Sequence, residues 1–591
     1  MRFFSHAWVY RCTGVLLLIS AGLAASVATA DSRQQQLRSA DAAFRAGYAA
    51  EQSGDLDNAK GQFEKVVRLA PDIAEGHSAL GSVLLQLGQY QQAIRQLVRA
   101  LALKADDRAA QTNLAIAYEQ SGDHEKSVTL FRSLDRQAAR PLPPSVVIVY
   151  IRALLASQHT ELALSKAQSA LVAAPENPAL HDTLGSLEAQ RQDWNGAVFQ
   201  FREAVRLEPN FAEAHLHLGL TLIMQQQTSE GLQELTTATE LSPQYALARV
   251  ELGKAMIANG ESEKAVPVLQ SALALAPASL DAKYQLALAL QASGREEQAI
   301  PFFQEVVAAD RHDAPALANL ALALVQTGKA KEAIPLYQRA LKEAPADPLV
   351  HQNLGVAYLQ ESDLSDAAAE FREGLKLAPD AYELHYDLGL ALKLRDDIAA
   401  AASELELAAR LNPTSPDPPY TLGILEMQSG RFDDAVEKLK TALTLRPENG
   451  DGWSILGSVY KQQNKQTEAI DALQNAIELM PNQPGPHVTL AGILAQQGRP
   501  AEAVAERKKA ADLSRIAVDR QRATFAVNTG RALLLKGQIT DAIERYQEAV
   551  SSDPTYVEAH QGLAAALERA GRTAEAEGER NKAAKPTQAR P

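Results

Sequence analysis

Residues 209–243 read PNFAEAHLHLGLTLIMQQQTSEGLQELTTATELSP, and the proline that closes the stretch stands thirty-four residues after the one that opens it. Taking Gly219 as a reference, a second small residue, Gly231, falls twelve later, a large apolar one, Leu235, sixteen later, and Ala238 nineteen later. Differences of three, four and seven place these last three on one helical face. The same register recurs outward in both directions. Gly253, Gly355, Gly389, Gly423 and Gly457 take the reference place, and Ala265, Ala367, Ala401, Ala435 and Ala469 the second small position. Leu269, Phe303, Tyr337 and Phe371 take the large one. Pro175, Pro209, Pro243, Pro277, Pro345, Pro379, Pro413, Pro447 and Pro481 lie on one 34-residue grid, with Arg311 and Arg515 at two of its remaining points. A Gly seven after the reference (Gly88, Gly260, Gly294, Gly328, Gly430, Gly537) ends a first helix, and the proline ends a second. Each unit is therefore helix A, a tight turn, helix B and a turn. Small residues let helices cross closely, large ones fill the adjacent holes, and stacked neighbours complete the core.

Sixteen such units are legible, with references at Gly47, Gly81, Ala115, Ile151, Gly185, Gly219, Gly253, Ala287, Ala321, Gly355, Gly389, Gly423, Gly457, Ala491, Gly530 and Ala564. The small-small-large-small positions and the closing proline, repeated over nearly the whole chain beyond residue 30, resemble the tetratricopeptide repeat (TPR). The resemblance implies an all-α, right-handed superhelical solenoid of helix-turn-helix repeats, with helix A lining a concave groove that binds a protein or peptide.

Two joints interrupt the grid. Pro141-Leu142-Pro143-Pro144 adds two residues, and the stretch between Arg515 and Phe525 adds five. The expected organisation is a targeting segment at 1–30, N-terminal units at 31–140, a continuous array at 145–515, C-terminal units with a polar cap at 516–585, and a disordered tail at 586–591. The targeting segment rests on Arg2 and Arg11, an uncharged apolar run and Ala28-Thr29-Ala30 before Asp31, the pattern of an export signal cleaved after Ala30. Export to a periplasmic or secreted location follows; the competing reading is an uncleaved membrane anchor, the one route to membrane contact. Cys12, the single cysteine, lies within this segment, so the chain beyond it has no disulfide chemistry. The formal charge of −14 disfavours nucleic acid and anionic lipid as partners.

Chemistry is sparse. His77, His181, His215, His351, His385, His487 and His560 stand four before the reference, where Trp453 also stands, and read as a structural ladder rather than metal ligands. Asp396-Asp397 and Asp433-Asp434 read as helix-capping pairs. Phosphate-loop and nucleophile-elbow motifs are absent, so no enzyme, cofactor or metal is expected. The family resemblance points the residue two before the reference into the groove. This row runs Thr183, His217, Glu251, Gln285, Asn319, Asn353, Asp387 and Thr421, with Tyr284, Tyr386 and Tyr420 one position earlier. An asparagine ladder, which some relatives use to hold a peptide backbone, is matched only by Asn113, Asn319, Asn353 and Asn528. Leu220, Leu288, Leu322, Val356 and Leu390, one after the reference, read equally as groove surface or as packing between A helices. The basic joint Arg507, Lys508, Lys509, Arg515, Arg520 and Arg522 reads as a solvated helix or a docking site. The expected function is a non-enzymatic scaffold or adaptor in the cell envelope. The alternative is an accessory subunit of an envelope enzyme or export complex, for example one making or secreting polysaccharide.

Overall fold

The computed structural model describes residues 27–137 and 141–584. Most of the expected targeting segment, residues 1–26, and the expected tail at 586–591 lie outside the described residues. Among those described there are thirty-one helices and no strand. The chain forms two compact units, 1–306 and 307–591, with the division inside the helix Glu296–Ala309.

Unit one begins with Val27–Gln52, which contains Ala28-Thr29-Ala30 and runs on as the first helix A. The pairs that follow are nearly uniform: Ala212–Met224 with Thr228–Leu241 is typical, thirteen residues then fourteen. Unit two repeats the plan, as in Pro348–Gln360 with Leu364–Leu377. Thirty-one helices rather than thirty-two serve the sixteen repeats because Pro500–Leu535 fuses helix B of one repeat to helix A of the next. The five-residue addition sits inside this 36-residue helix, which passes unbroken through the 515/516 joint.

The small-large pattern acts within each hairpin. A Cβ built on Gly185 would stand 2.8 Å from Phe201, one on Gly219 2.8 Å from Leu235, and one on Gly389 2.7 Å from Leu405. Each reference glycine thus accepts the large residue sixteen positions on, and the alanines twelve on, such as Ala197, Ala265, Ala367 and Ala401, are fully buried. Burying one such Phe or Leu contributes about 1.5–3 kcal/mol, so this repeated contact is the unit of stability. Cores are local: one cluster in unit two runs Ala435 to Ala503 and another Ala523 to Ala576.

The turn departs from the glycine rule. All sixteen turns place the residue seven after the reference at positive φ, and six of these are not glycine: Gln158, Gln192, Gln226, Ser362, Asp396 and Asn464, with φ between 60° and 65°. Packing of the two helices dictates the left-handed turn, whether or not the residue favours it.

Candidate functional site

Helix A sets the geometry of the candidate row. Its residues three and two before the reference point the same way as the one after it, and in several repeats they bond from one A helix to the next. In unit one, His217 Nδ1 meets Asp182 Oδ1 at 2.7 Å, and the His217 ring packs on Phe201 with centroids 5.5 Å apart. Burial works against charge on His217, but the hydrogen bond to Asp182 and the charges of Asp182 and Glu213 outweigh it and raise its pKa. Lys254 bridges Glu251 at 3.0 Å and Asp281 at 2.9 Å. Thr183 turns back on its own helix, donating to the Ala179 carbonyl at 2.6 Å. Gln285 reaches only Asp281, at 3.4 Å, and Tyr284 stacks edge-on to Phe303 at 5.9 Å.

In unit two, Gln352 Nε2 donates to Asp387 Oδ2 at 2.7 Å, and Tyr386 meets the Thr421 hydroxyl at 3.5 Å. Burial pushes the Asp387 carboxyl up, against the lowering effect of that Gln352 bond, and burial likewise raises the Tyr386 and Tyr420 phenols. Asn319 and Asn353 are both half-buried. The Asn353 amide makes no hydrogen bond to another described residue, and Leu322, Val356 and Leu390 lie half-buried beside the row. Much of the polar row is therefore engaged in holding A helices together, and Asn353 is left with its donors and acceptor open.

The histidine ladder is a fastener. Each ring Nδ1 meets a residue nineteen positions on, in helix B: Gln96, Gln200, Glu234, Glu370, Glu404, Glu506 and Glu579, at 2.5–2.7 Å. In His77, His181, His215, His385 and His560, Nε2 also donates to the carbonyl of the proline six before it, at 2.9–3.0 Å. One ring thus ties helix A to helix B and to the preceding turn. Where the partner is Glu, both nitrogens of His215, His385 and His560 face acceptors, a carboxylate on one side and a backbone carbonyl on the other. Trp453 Nε1 makes the same proline bond, to Pro447, but Ala472 replaces the helix B partner. A cleft of about 370 Å³ lined by Leu443, Trp453 and Tyr460 opens there. The invariant Gln/Glu nineteen after each His was the sequence signal for this clasp. No group of three or more His, Cys, Asp or Glu suited to a metal occurs among the described residues.

The basic joint does not form one patch. Arg520 pairs with Asp553, reaches Thr555 and lies 4.6 Å from the Tyr556 ring centre, fastening the following repeat. Lys509 pairs with Glu506 at 2.7 Å. Arg507, Lys508, Arg515 and Arg522 are exposed on the other side of the same helix.

Profiles described as TPR or tetratricopeptide repeat match residues 40–73, 78–142, 185–226, 225–280, 256–323 and 530–571. The chain belongs to the tetratricopeptide-repeat family. Residues 302–526 match the profile of the Cilia and flagella-associated protein 70 C-terminal domain, so the TPR array is covered in both units. Among solved structures, the TPR chain is similar to one from the APC/C hetero-tetramer Cut9-Hcn1 (15% identity, 91% of this chain and 99% of that one, TM-score 0.35). It is also similar to YrrB, described as a TPR protein with an unusual peptide-binding site (21%, 31% and 95%, TM-score 0.28). A third is MamA from Desulfovibrio magneticus RS-1 (22%, 28% and 95%, TM-score 0.27). No curated protein matches the TPR chain.

Proposed function

We propose that this TPR protein is a non-enzymatic interaction scaffold that binds a polypeptide partner on its A-helix faces. The observation that carries the reading lies in unit two: the open Asn353 amide beside the half-buried row Leu322, Val356 and Leu390, with Tyr386 and Tyr420 alongside. An apolar row flanked by amide and phenol groups suits an extended chain, whose backbone takes the amide while its side chains cover the row. The bonds Gln352–Asp387 and Tyr386–Thr421 hold successive helices in register, so the surface is preorganised. We place the protein in the cell envelope, on the strength of the basic start, apolar run and Ala28-Thr29-Ala30.

A photocrosslinking residue at Val356, compared with one at Arg372 on the exposed side of helix B, tests the surface in native cells. Capture at Val356, reduced about fivefold by Asn353→Ala and absent at Arg372, is the expected result. Equal capture at both positions refutes the A-helix surface. N-terminal sequencing of the mature protein tests export: a start at Asp31 is expected, and Met1 retained on membrane-integrated protein refutes cleavage.

A further inference from the structure

The fused helix Pro500–Leu535 changes allegiance along its length. Near its start it buries Ala503 and Ala510; further on it buries Ala523, Ala526, Val527 and Gly530. At 100° per residue, Ala503 and Ala523 lie on roughly opposite sides of the helix. The five added residues create this switch, and the two cores at either end share no residue. Among the surfaces of this helix that neither core covers, one carries a regular stripe. It reads Val504, Lys508, Ala511, Arg515, Val518, Arg522 and Phe525, spaced alternately by four and three, and every member is exposed. Val504 is 61% exposed, Val518 48% and Phe525 74%.

Spacing of four and three is the seam of a two-helix coiled coil. Here the apolar residues take one heptad position throughout and the bases the other. In a regular repeat the first part of this helix would carry a large apolar residue sixteen after the reference; instead Arg507 stands there, exposed, as Arg580 does in the terminal repeat. The repeat array thus has an internal end that presents a helix with no neighbour to cover it among the described residues.

We infer that this stripe docks a helix of a partner protein, one with apolar residues at the same heptad spacing and Glu or Asp between them. Such a helix would pack its apolar residues against Val504, Ala511, Val518 and Phe525 and set carboxylates against Lys508, Arg515 and Arg522. Three heptads span about 30 Å. The competing intrahelical pairs are weak. Arg515 meets Asp512 at 3.1 Å and Arg522 meets Asp519 at 4.0 Å, with both arginines 72% exposed, so they remain free to turn to a new partner. The stripe also suits neither alternative occupant. Asp512 and Asp519 flank it on one edge and would face an anionic bilayer. A second copy would set bases against bases in a parallel pairing and bases against the apolar residues in an antiparallel one. This surface is separate from the A-helix row and stands or falls independently of it.

The test uses the full chain and a labelled synthetic 28-residue peptide with Leu and Glu alternating at the seam positions, alongside the same peptide with Lys in place of Glu. Fluorescence anisotropy should show saturable binding of the Glu peptide, weakening as salt rises, and none of the Lys peptide. Val518→Ser with Phe525→Ser should weaken binding about tenfold or more. Arg515→Glu with Arg522→Glu should lose the Glu peptide and gain the Lys peptide. All four positions are exposed, so helicity should be unchanged by circular dichroism. No saturable binding of the Glu peptide overturns the inference, as does binding indifferent to the serine pair or to the charge exchange. Stripe-dependent binding to phosphatidylserine vesicles, or stripe-dependent dimerisation of the chain alone, overturns it in favour of a membrane or a second copy.

Discussion

Gln226 offers a clean test of what dictates the turns. It sits at φ 64°, its side chain is exposed, and it makes no hydrogen bond through that side chain. A left-handed conformation costs an L-residue about 1–2 kcal/mol, and glycine gives back about 0.5–1 kcal/mol through its larger unfolded-state entropy. Gln226→Gly should therefore stabilise the surrounding repeat by about 0.7 kcal/mol. The mirror experiment is Gly260→Ala, at φ 77° with no atom within 4 Å of the added Cβ. Its cost is purely conformational, the same two terms with the sign reversed, about 0.7 kcal/mol. Repeat proteins open locally, so native-state amide exchange is the suitable assay. Peptides from Thr228–Leu241 should exchange about threefold more slowly in Gln226→Gly, and peptides from Ser262–Leu275 about threefold faster in Gly260→Ala. With Gln158→Gly and Gln192→Gly added, sites thirty-four residues apart should sum to about 2 kcal/mol. If Gln226→Gly destabilises its repeat as Gly260→Ala does, the left-handed strain is absent and the account of the turn is wrong.

Tyr337 is fully buried with its hydroxyl unpaired, and burial holds the phenol far above its usual range; Tyr337→Phe should be neutral or stabilise by up to about 1 kcal/mol, checked by the urea midpoint. Burial alone would raise Glu506, Glu579 and Asp553, yet bonds from Lys509 and His487, from Lys582 and His560, and from Thr555 and Arg520 hold the three carboxyls below their ordinary 4.5 and 3.8. Groups depressed in the folded state contribute stability that is complete above those ordinary values and is lost as pH falls through the folded ones, so acid should loosen the C-terminal repeats, and Glu579→Gln should flatten that dependence in a pH series of amide exchange. Arg520→Ala should cost about 1 kcal/mol, limited by the half-exposed state of Arg520, and should speed exchange in Ile539–Ser552 while leaving Gln466–Leu479 unchanged. Asn353→Ala should weaken a groove-bound partner about fivefold without loss of helicity, measured by titration.

The hairpin architecture was legible because each repeat must solve the same local packing problem. A glycine or alanine at one place and a Phe, Leu or Tyr sixteen residues later is a steric pair, as Gly185 and Phe201 show, and steric pairs leave residue identities in the sequence. The histidines were legible as a ladder, and the Gln or Glu nineteen residues on marked a partner, but only the hairpin brings the two helices close enough for that pair to meet. The candidate row was legible as positions and not as partners. Nothing in the sequence separates Asp387, taken up by Gln352, from Asn353, which is open, because the pairing depends on which rotamers meet across neighbouring A helices. The six bases of the joint likewise look alike in sequence. A five-residue insertion rotates a helix by about 140° relative to its former face, and only the packed helix shows that Arg520 turns toward Asp553 while Lys508, Arg515 and Arg522 face outward. Sequence alone determined which residues must pack, because shape complementarity is local and repeated. Tertiary structure decided which polar groups remain free, because a hydrogen bond is made or left open by the position of its partner rather than by its own identity.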